Sequence, residues 1–505
     1  MLAEYLNDLH YIWPEVVLTV GILLALFSDL ILGGKDQKIT GIISLLCTAL
    51  VLYFVLRLRA EGGSHDVFGI VVVDPFALLF KLIAGIGLLV VVFYAVFFRE
   101  FDRDGIGEFY AMILSSTLGI FFLVSTDNLL FLFLALEMLS ITSYVLAGFL
   151  KGQQRSSEAA LKYVVYGALS SGVMVFGFSI LFGMAGSLNL SEMGAFVAAH
   201  IGGEFGAAIT VSLVMILVGF CFKIAAFPFH FWCPDVYEGA PTPVTTFLAV
   251  CSKTAGFGLI LRFMNDVFIS GGMPVAEWGG EVALLLGVMA AATMTYGNIT
   301  AIKQDNLKRL LAYSSIAHAG YLLMGVAAFF AAIKGDGRYA STTGMGTVDA
   351  VVFYLIAYLL MNLGAFGVVM YLANRYGRET VEDYRGLGWK APYACSFMVI
   401  FLLSLTGLPP TVGFIGKMKL FVAVIDQGMY WLALVAALNS VVALFYYFRI
   451  AKYLFFKDAV TEGIEARGGR IQGLFVCMLC VLGLATLYYG IYWGPIDEAV
   501  RAALP

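Results

Sequence analysis

Apolar runs about as long as a bilayer is thick, separated by short polar connections, make up most of this chain. A transmembrane helix needs about 20 predominantly apolar residues. Fourteen segments meet that requirement, and they cover residues 11–32, 39–58, 74–98, 108–126, 128–150, 159–185, 207–237, 242–265, 279–300, 306–332, 346–373, 392–425, 429–456 and 471–493. The pattern therefore predicts an all-α polytopic membrane protein with about fourteen transmembrane helices, forming a single membrane domain over residues 1–505.

Two of these segments are too long for one straight helix and contain helix-breaking residues. The segment 207–237 contains Pro228, and the segment 392–425 contains Pro409 and Pro410. Proline removes a backbone donor and clashes with the preceding turn. Non-helical backbone at membrane depth is tolerated where it is buried in protein or lines a hydrated cavity. We therefore expect two discontinuous helices, broken near these prolines.

The positions of the two interrupted segments, seventh and twelfth in the chain, suggest an internal repeat. Paired interrupted spans in two halves of a chain are typical of transporters built from inverted repeats. We therefore expect inverted five-helix repeats, the first over residues 108–265 and the second over residues 279–456. This expectation rests on spacing, because the two stretches show no convincing similarity residue by residue.

The composition excludes several classes of protein. Of the 505 residues, 61% are hydrophobic and 13% are charged, and the mean hydropathy is +0.92. Soluble domains carry about 25% charged residues, so a soluble enzyme and a disordered chain are both excluded. A net charge of −4 argues against a nucleic-acid-binding protein, which needs a basic surface.

The chain carries no motif for a metal, a nucleotide or a redox cofactor. Cys477 and Cys480 have the spacing C-x-x-C, but they lie on one apolar helix without a second pair of ligands. We therefore interpret the seven cysteines as buried free thiols. Dinucleotide-binding, Walker and haem-attachment motifs are absent, and we expect no cofactor in this chain.

Lys and Arg are distributed unequally between the two sets of connections. Eighteen lie in or beside the connections that follow odd-numbered spans, and six lie on the other side together with the termini. Basic residues favour the cytoplasmic side of a membrane, so both termini are predicted to lie outside. The first ten residues lack the basic region of a signal peptide, and the first span is expected to be retained.

Four ionisable side chains lie too deep within predicted spans to reach the lipid headgroups easily: Glu137, Lys223, Lys253 and Lys417. A charge at bilayer depth is costly, so such a residue is a functional candidate by default. Burial and opposite charges shift the pKa of an ionisable group in opposing directions. Buried lysines with one glutamate can therefore take up and release protons, and the pattern favours a proton relay without metal or cofactor.

Two histidines at membrane depth are further candidates. His230 follows the first predicted break, in FPFHFW, and His318 lies in SSIAHAGY among small residues and two serines. Because imidazole titrates near neutral pH and can pass a proton through either ring nitrogen, we interpret both as relay residues. The alternative for each is simple packing in the core.

Other charged residues favour more ordinary explanations. Lys81 and Lys419 are expected to extend their ammonium groups to the membrane surface or to line an interface. Lys162 is either a lysine at the cytoplasmic end of its span or a partner for Glu137 on the adjacent helix. Asp74 lies at the start of a span and is expected to be solvated.

Three stretches of the chain have distinctive sequences: FPFHFWCPDVYEGAPTPV (227–244), KRLLAYSSIAHAGYLLMG (308–325) and LTGLPPTVGFIGK (405–417). Together they resemble the antiporter-like membrane subunits of respiratory complex I, the NADH–quinone oxidoreductase. The first stretch is most similar to the subunit N family of the bacterial enzymes. The subunit M family is similar in size but has a glutamate where this chain has Lys417. The resemblance covers essentially the whole chain.

The resemblance implies a set of site residues that share a position at membrane depth. They are an ion pair of Glu137 with Lys162, the central lysines Lys223 and Lys253, the connecting histidines His230 and His318, and the terminal Lys417.

The resemblance also implies a role, a membrane location and a set of partners for the chain. The chain would be a proton-translocating subunit of a translocase, with no redox centre of its own, in a bacterial inner membrane with both termini on the periplasmic side. NADH, FMN, iron–sulfur clusters and quinone would be bound by partner subunits. The implied partners are the antiporter-like subunits M and L, the small subunits K, J, A and H, the peripheral redox arm indirectly and the lipid bilayer, with no nucleic acid.

Two other functions share these sequence features. A stand-alone or Mrp-type cation/proton antiporter would have the same lysines and interrupted helices. A scaffold subunit that only fills membrane space would tolerate neutralisation of Lys223.

Overall fold

The computed structural model describes residues 8–32, 37–97, 105–270, 275–332, 346–377, 379–458 and 472–504. The helices, numbered in chain order, are α1 Trp13–Leu32, α2 Gln37–Glu61, α3 Pro75–Phe97, α4 Ile106–Val124, α5 Leu129–Ala147, α6 Gln154–Ala185, α7 Leu190–His200, α8 Gly206–Ile224, α9 Trp232–Gly239, α10 Thr242–Ile269, α11 Val275–Ala301, α12 Leu307–Ala332, α13 Thr347–Tyr376, α14 Leu387–Lys390, α15 Pro392–Thr406, α16 Val412–Asp426, α17 Tyr430–Phe456, α18 Gln472–Ile491 and α19 Gly494–Arg501. Two short strands, β1 His65–Val67 and β2 Val71–Val73, form an antiparallel hairpin before α3.

Thirteen helices of the described residues are long and apolar enough to cross a membrane. They are α1 to α6, α8, α10 to α13, α17 and α18. Helix α15 is also apolar but has only 15 residues, and α16 follows it after a break. The chain is therefore an all-α multi-pass membrane protein, and the predicted fold class is confirmed.

Both predicted helix breaks are present. Ala225 has a φ of 57° and ends α8, and residues 225–231, which include Pro228, separate α8 from α9. Gly407 has a φ of 87° and ends α15, and residues 407–411 separate it from α16. Left-handed backbone at a helix end leaves the last carbonyls with turn-type partners and redirects the chain. The two long apolar segments of the sequence are therefore discontinuous helices.

Helices α10, α12 and α13 form the centre of the bundle, since nearly every residue in them is buried. A helix that is apolar on all sides belongs in the interior of a protein. By contrast, α1 turns large apolar side chains outward, and Leu30 and Ile31 are 77% and 80% exposed. Outer helices of this kind present their apolar faces to lipid.

Several short elements were not predicted, because they are too brief to give a span-length apolar pattern. They are the β1–β2 hairpin, α7, α14 and α19. Helix α19 is fixed to the bundle by Asp497, which pairs with Lys419 of α16 at 2.5 Å, and by Ala499, whose carbonyl accepts a 2.9 Å hydrogen bond from Arg59 of α2.

The connections between helices form two layers. On one side, Val72 of the hairpin donates to the carbonyl of Ser125 in the α4–α5 connection. On the other side, Leu307 at the start of α12 donates to the carbonyl of Glu379 after α13. Parts of several connections, including most of the predicted loop 457–470, lie outside the described residues.

Candidate functional site: a buried polar axis

A row of buried polar side chains passes through the centre of this apolar bundle. Its members lie on α5, α8, α10, α12, α13, α16 and α17, and they are Glu137, Ser140, Lys223, Lys253, Ser314, Ser315, His318, Tyr321, Tyr354, Tyr358, Lys417, Ser440 and Tyr447. All are buried except Glu137 and Ser440, which are partly buried. Since buried polar groups must find partners within the protein or in bound water, the contacts among these side chains define what the row can do.

Lys253 of α10 is bound by neutral oxygen atoms. Its Nζ donates to the hydroxyl of Ser315 on α12 at 2.5 Å and also to the carbonyl of that residue. Tyr358 of α13 donates to the same hydroxyl at 2.8 Å, and its ring lies 5.7 Å from the ammonium. Lys253 is 2% exposed and forms no ion pair within the described part of the chain. Its charge is therefore not fixed by a carboxylate.

His318 and Lys253 contact groups that include two adjacent serines of α12, Ser314 and Ser315. The hydroxyl of Ser314 bonds the hydroxyl of Tyr447. The Tyr447 hydroxyl also lies 3.2 Å from Nε2 of His318. On its other side, Nδ1 of His318 bonds the hydroxyl of Tyr354 at 2.6 Å. Both ring nitrogens therefore contact hydroxyl groups, which can donate or accept a hydrogen bond.

Lys417 of α16 lies at the far end of the row, against the second helix break. Its Nζ donates to the carbonyl of Thr406 at 2.9 Å and lies 3.5 Å from the hydroxyl of Ser440. The Tyr321 ring is 4.5 Å from the ammonium, and the Ser440 hydroxyl donates to that of Tyr321 at 3.2 Å. Tyr321 lies one turn beyond His318 on α12, with ring centroids 5.8 Å apart. The row therefore continues from His318 to Lys417.

Lys223 occupies the last turn of α8, before the first break. It is 3% exposed, and its Nζ donates to the hydroxyl of Ser140 on α5 at 3.2 Å. Glu137 lies about one turn earlier on α5, so its carboxylate acts electrostatically on this ammonium. A Cβ added to Gly256 of α10 would lie 3.4 Å from the Lys223 side chain. The glycine thus allows Lys223 to pack directly on the helix that carries Lys253.

Comparison with known proteins identifies the family to which this arrangement belongs. Residues 126–443 match the family model described as NADH:quinone oxidoreductase/Mrp antiporter, TM. The NADH-quinone oxidoreductase subunit N of Chlorobium chlorochromatii is 40% identical over 99% of this chain and 96% of its own length. That of Anaeromyxobacter sp. is also 40% identical, over 100% of this chain and 98% of its own length. The chain belongs to the NADH-quinone oxidoreductase subunit N family.

Solved structures agree with membership in the subunit N family. A chain of respiratory complex I from Thermus thermophilus is 32% identical, with a TM-score of 0.77 and coverage of 97% of this chain and 99% of that chain. The Mrp complex from Dietzia sp. DQ12-45-1b has a chain with a TM-score of 0.79 but 19% identity over 98% of this chain and 97% of that chain, which is a likeness of fold alone. The resemblance to antiporter-like membrane subunits of complex I is therefore confirmed.

The structure does not bring together the predicted pair of Glu137 and Lys162. Lys162 pairs with Glu158 at 2.7 Å and with Asp235 at 2.6 Å, whereas Glu137 accepts a 2.6 Å hydrogen bond from Ser171. Ser171 is nine residues beyond Lys162 on α6, which is about 13 Å along the helix axis. The separation along α6 is the physical reason that these two residues do not pair.

His230 lies in surroundings that differ from those predicted. Its ring is buried at the first break against Phe227, Phe231 and Tyr296 rather than among polar groups. Neither ring nitrogen has a hydrogen-bond partner among the described residues.

The remaining lysines and Asp74 also depart from the sequence-based interpretation. Lys81 does not reach the membrane surface, because its side chain is fully buried in an ion pair with Glu15 at 2.6 Å. Lys419 is likewise buried, in its pair with the C-terminal helix. Asp74 binds both terminal nitrogens of Arg262, at 2.6 and 2.9 Å. Each of these charges is neutralised locally, so none is a free site.

The thiols and metal ligands give no second site. All seven cysteines are free, and Cys477 faces outward from α18 rather than being buried as predicted. In the described ranges, no three residues among His, Cys, Asp and Glu gather in a way that suits a metal ion.

The hydroxyl groups that contact the buried ionisable residues were not predicted from the sequence. Ser140, Ser315, Tyr354 and Tyr447 bond to the predicted ionisable residues, and Tyr358 donates to Ser315. The paired serines before His318 were a visible signal, but the tyrosines lie on other helices, and their convergence depends on packing.

Proposed function

We propose that this chain translocates protons through the buried polar axis, as an antiporter-like subunit of a proton-pumping NADH-quinone oxidoreductase. The observation that carries the proposal is the placement of hydrogen-bonding groups between Lys253 and His318: Ser315 binds Lys253, and the adjacent Ser314 bonds Tyr447, which contacts His318. Hydroxyl and imidazole groups can each accept a proton on one side and donate one on the other. This arrangement is therefore suited to moving protons laterally between buried sites.

The lysines are the sites that hold a proton between transfer steps. Lys253 and Lys417 have neutral partners, and a buried lysine can release its proton, whereas an arginine cannot. Lys162 lies among ion pairs at one end of α6, where protons would be taken up. His230 has unpartnered ring nitrogens at the first break, and buried polar groups of this kind are typically satisfied by water. We assign it to proton exchange with water in that break.

Glu137 acts as the electrostatic control of Lys223 in this proposal. Glu137 lies about one helical turn from Ser140 on α5, and the Ser140 hydroxyl accepts a hydrogen bond from Lys223. An opposite charge favours the protonated form of a lysine, and its removal favours release. A change in the charge or position of Glu137 would therefore favour protonation or deprotonation of Lys223 and start proton transfer along the axis.

The energy for this transfer comes from reactions elsewhere in the enzyme. NADH, FMN, iron–sulfur clusters and quinone belong to partner subunits, and this chain contributes to the translocase activity without a redox centre of its own. The proposed partners are the antiporter-like subunits M and L, the small membrane subunits K, J, A and H, and indirectly the peripheral arm. Lipid covers the remaining outer faces.

We propose fourteen crossings, with both termini on the periplasmic side of a bacterial inner membrane. The thirteen long helices count as one crossing each, α9 completes the crossing begun by α8, and α15 with α16 makes the fourteenth. The hydrogen bonds between connections agree with this count. The bond of Val72 to Ser125 and that of Leu307 to Glu379 each join two connections that fourteen crossings place on the same side of the membrane. The excess of Lys and Arg assigns the layer that includes Glu379 to the cytoplasm.

We further propose that residues 108–265, which lie on α4 to α10, and residues 279–456, which lie on α11 to α17, form inverted repeats. Gly119 on α4 and Gly297 on α11 each pack against the backbone of the following helix. The same interval along the chain separates Asp127 from Asp305, and each of these aspartates precedes an Asn-Leu pair that opens a helix. By that interval Ser140 corresponds to His318. Five crossings separate the two units, so they run in opposite directions.

A stand-alone or Mrp-type antiporter remains the second candidate, since the likeness of fold extends to an Mrp complex. The 40% identity to subunit N proteins favours complex I. Purification in mild detergent separates the two: we expect the chain to co-purify with flavin- and iron–sulfur-containing subunits. A complex composed of antiporter subunits alone would contradict the proposal.

Replacement of Glu137 tests the mechanism. Glu137→Gln removes the charge that favours protonated Lys223, and we expect proton uptake and coupled quinone reduction in membrane vesicles both to fall by about tenfold. Glu137→Asp keeps the charge and should lose less. Glu192→Gln, a matched change of an exposed acid on α7, is the control. A fully active and normally assembled Glu137→Gln variant would contradict the role of Glu137.

A further inference from the structure

A network of ion pairs joins α6, α9 and α12 at the face proposed to be cytoplasmic. The carboxylate of Asp235 on α9 contacts Lys162 of α6 at 2.6 Å and Arg309 of α12 at 2.5 Å. Arg309 also contacts Glu238 at 3.0 Å, and Lys162 contacts Glu158 at 2.7 Å. A cavity of about 160 Å³ opens among these side chains. Asp235 is thus bound to cations on two different helices.

Helix α9 depends on side-chain contacts for its position. It has eight residues, and residues 225–231 separate it from α8, so no continuous helix holds it in place. At its start, the indole N–H of Trp232 donates to the carbonyl of Phe222 at 3.1 Å. At its end, Lys308 of α12 donates to the carbonyl of Ala240 at 3.2 Å. The charged contacts between these two ends are the ion pairs of Asp235 with Lys162 and Arg309 and those of Glu238 with Arg309 and Arg155.

The opposite side of α9 reaches the polar axis. Tyr237 is two residues beyond Asp235, which places it about 200° around the helix. Its buried hydroxyl lies 3.4 Å from the hydroxyl of Ser315, which binds Lys253. This distance is long for a hydrogen bond between hydroxyl groups, so a small displacement of α9 would break the contact.

We propose that Asp235 is a positioning residue of proton uptake. Its two ion pairs hold α9 between α6 and α12, and α9 in turn holds Tyr237 against Ser315, the ligand of Lys253. Loss of these two pairs leaves Glu238 as the remaining acidic contact of α9, loosens the helix, and changes the hydrogen-bond environment of Lys253 without touching it. This inference rests on the proposed function, in which Lys253 exchanges protons along the axis.

A double-mutant cycle in the whole complex tests this inference. The variants are Asp235→Asn, Tyr237→Phe, their combination and Asp235→Glu, and the measurement is NADH-driven proton uptake by membrane vesicles per assembled complex. If Asp235 acts through Tyr237, each of the first two variants should slow uptake by about fivefold, and their combination by about the same factor. Asp235→Glu keeps both ion pairs within reach and should restore most of the rate.

Asp74→Asn is the matched control, because it also replaces an ion-paired aspartate by an amide, at Arg262 and away from α9. It should leave the rate per assembled complex unchanged. A combined variant whose loss is the product of the two single losses would overturn the inference, as would an Asp235→Glu variant as slow as Asp235→Asn. If Asp235→Asn does not assemble, Tyr237→Phe decides alone, and a wild-type rate there overturns the inference.

Lys253→Met distinguishes failure of this inference from failure of the proposed function. Full proton uptake by Lys253→Met would contradict the relay itself. Loss of uptake in Lys253→Met together with a wild-type rate in Asp235→Asn would leave the relay standing and overturn only the role of Asp235.

Discussion

The buried lysines of this chain differ in what their ammonium groups contact. Lys81 and Lys419 each face a carboxylate, from Glu15 and Asp497. Lys253 and the other lysines of the axis face hydroxyl and carbonyl oxygens instead. A carboxylate at hydrogen-bond distance stabilises the charged form of a lysine, whereas neutral ligands leave both protonation states accessible. This difference separates structural lysines from proposed relay lysines, although all are buried.

Lys223 provides a direct test at the residue scale. Lys223→Met removes the titrating group, and Lys223→Arg keeps the charge but cannot release a proton. We therefore expect both variants to reduce proton uptake in vesicles by about tenfold or more. Lys452→Met, at an exposed position on α17, should keep full activity. A scaffold role predicts that Arg is tolerated better than Met, so a fully active Lys223→Arg variant would refute the relay role.

The Glu15–Lys81 pair should behave differently, as a determinant of stability. Glu15→Gln leaves the ammonium of Lys81 buried without its carboxylate, and breaking a buried ion pair costs about 3–5 kcal/mol. We expect a lower thermal midpoint and less assembled complex. Removing both charges, as in Glu15→Gln with Lys81→Met, should recover most of the loss. A double variant that is less stable than Glu15→Gln alone would contradict this account.

At the scale of elements, the two breaks place lysines against irregular backbone. Lys223 ends the helix before the first break, and Lys417 lies on the helix after the second with its ammonium on the Thr406 carbonyl. A carbonyl freed from the helical ladder needs another donor. The break therefore supplies a ligand to Lys417 that a continuous helix would have used internally.

Gly407 offers a test of that second break. It has a φ of 87°, and an added Cβ would lie 2.7 Å from Cδ of Lys417. We expect Gly407→Ala to displace the lysine and to reduce proton uptake per assembled complex by about tenfold. Gly428→Ala is a matched control, because Gly428 also has a positive φ, of 72°, but has no neighbouring atom within 4 Å of the added Cβ.

Both glycine variants carry the strain of left-handed backbone, about 1–2 kcal/mol, so both should assemble somewhat less well. Only Gly407→Ala should lose uptake per assembled complex. Equal specific rates in the two variants would show that contact with Lys417 is unimportant.

At the scale of the whole molecule, the orientation in the membrane can be tested by labelling. In a variant without the seven native cysteines, Ser64→Cys lies near the β1–β2 hairpin and Lys390→Cys at the end of α14, both at exposed positions. A membrane-impermeant maleimide should label Ser64→Cys in intact cells and Lys390→Cys only after the cells are opened. The reverse pattern would contradict periplasmic termini.

Much of the architecture could be predicted from the sequence, because the bilayer imposes a simple length and polarity on each helix. The apolar runs located the helices, and Pro228 and Pro409 located the two breaks. The short α7 and α19 were missed, since a helix at the membrane surface needs no long apolar run. The sequence also indicated which residues are costly at membrane depth, and the structure places Lys253 and His318 in the most buried helices.

The partners of those residues were decided by the tertiary structure alone. Depth along a span can be counted from the sequence, but the direction in which a side chain points into the bundle depends on how the helices rotate and cross. Lys162 is adjacent in helix order to Glu137 and yet bonds Asp235, because α9 packs between α6 and α12. Likewise, Lys81 pairs with the carboxylate of Glu15, two spans away, whereas Lys253 bonds a serine. The sequence by itself indicated that Lys223, Lys253 and Lys417 are buried, because they lie deep in apolar spans. Only packing buried Lys81 and Lys419 as well, and only packing decided which charges are neutralised and which remain available to exchange a proton.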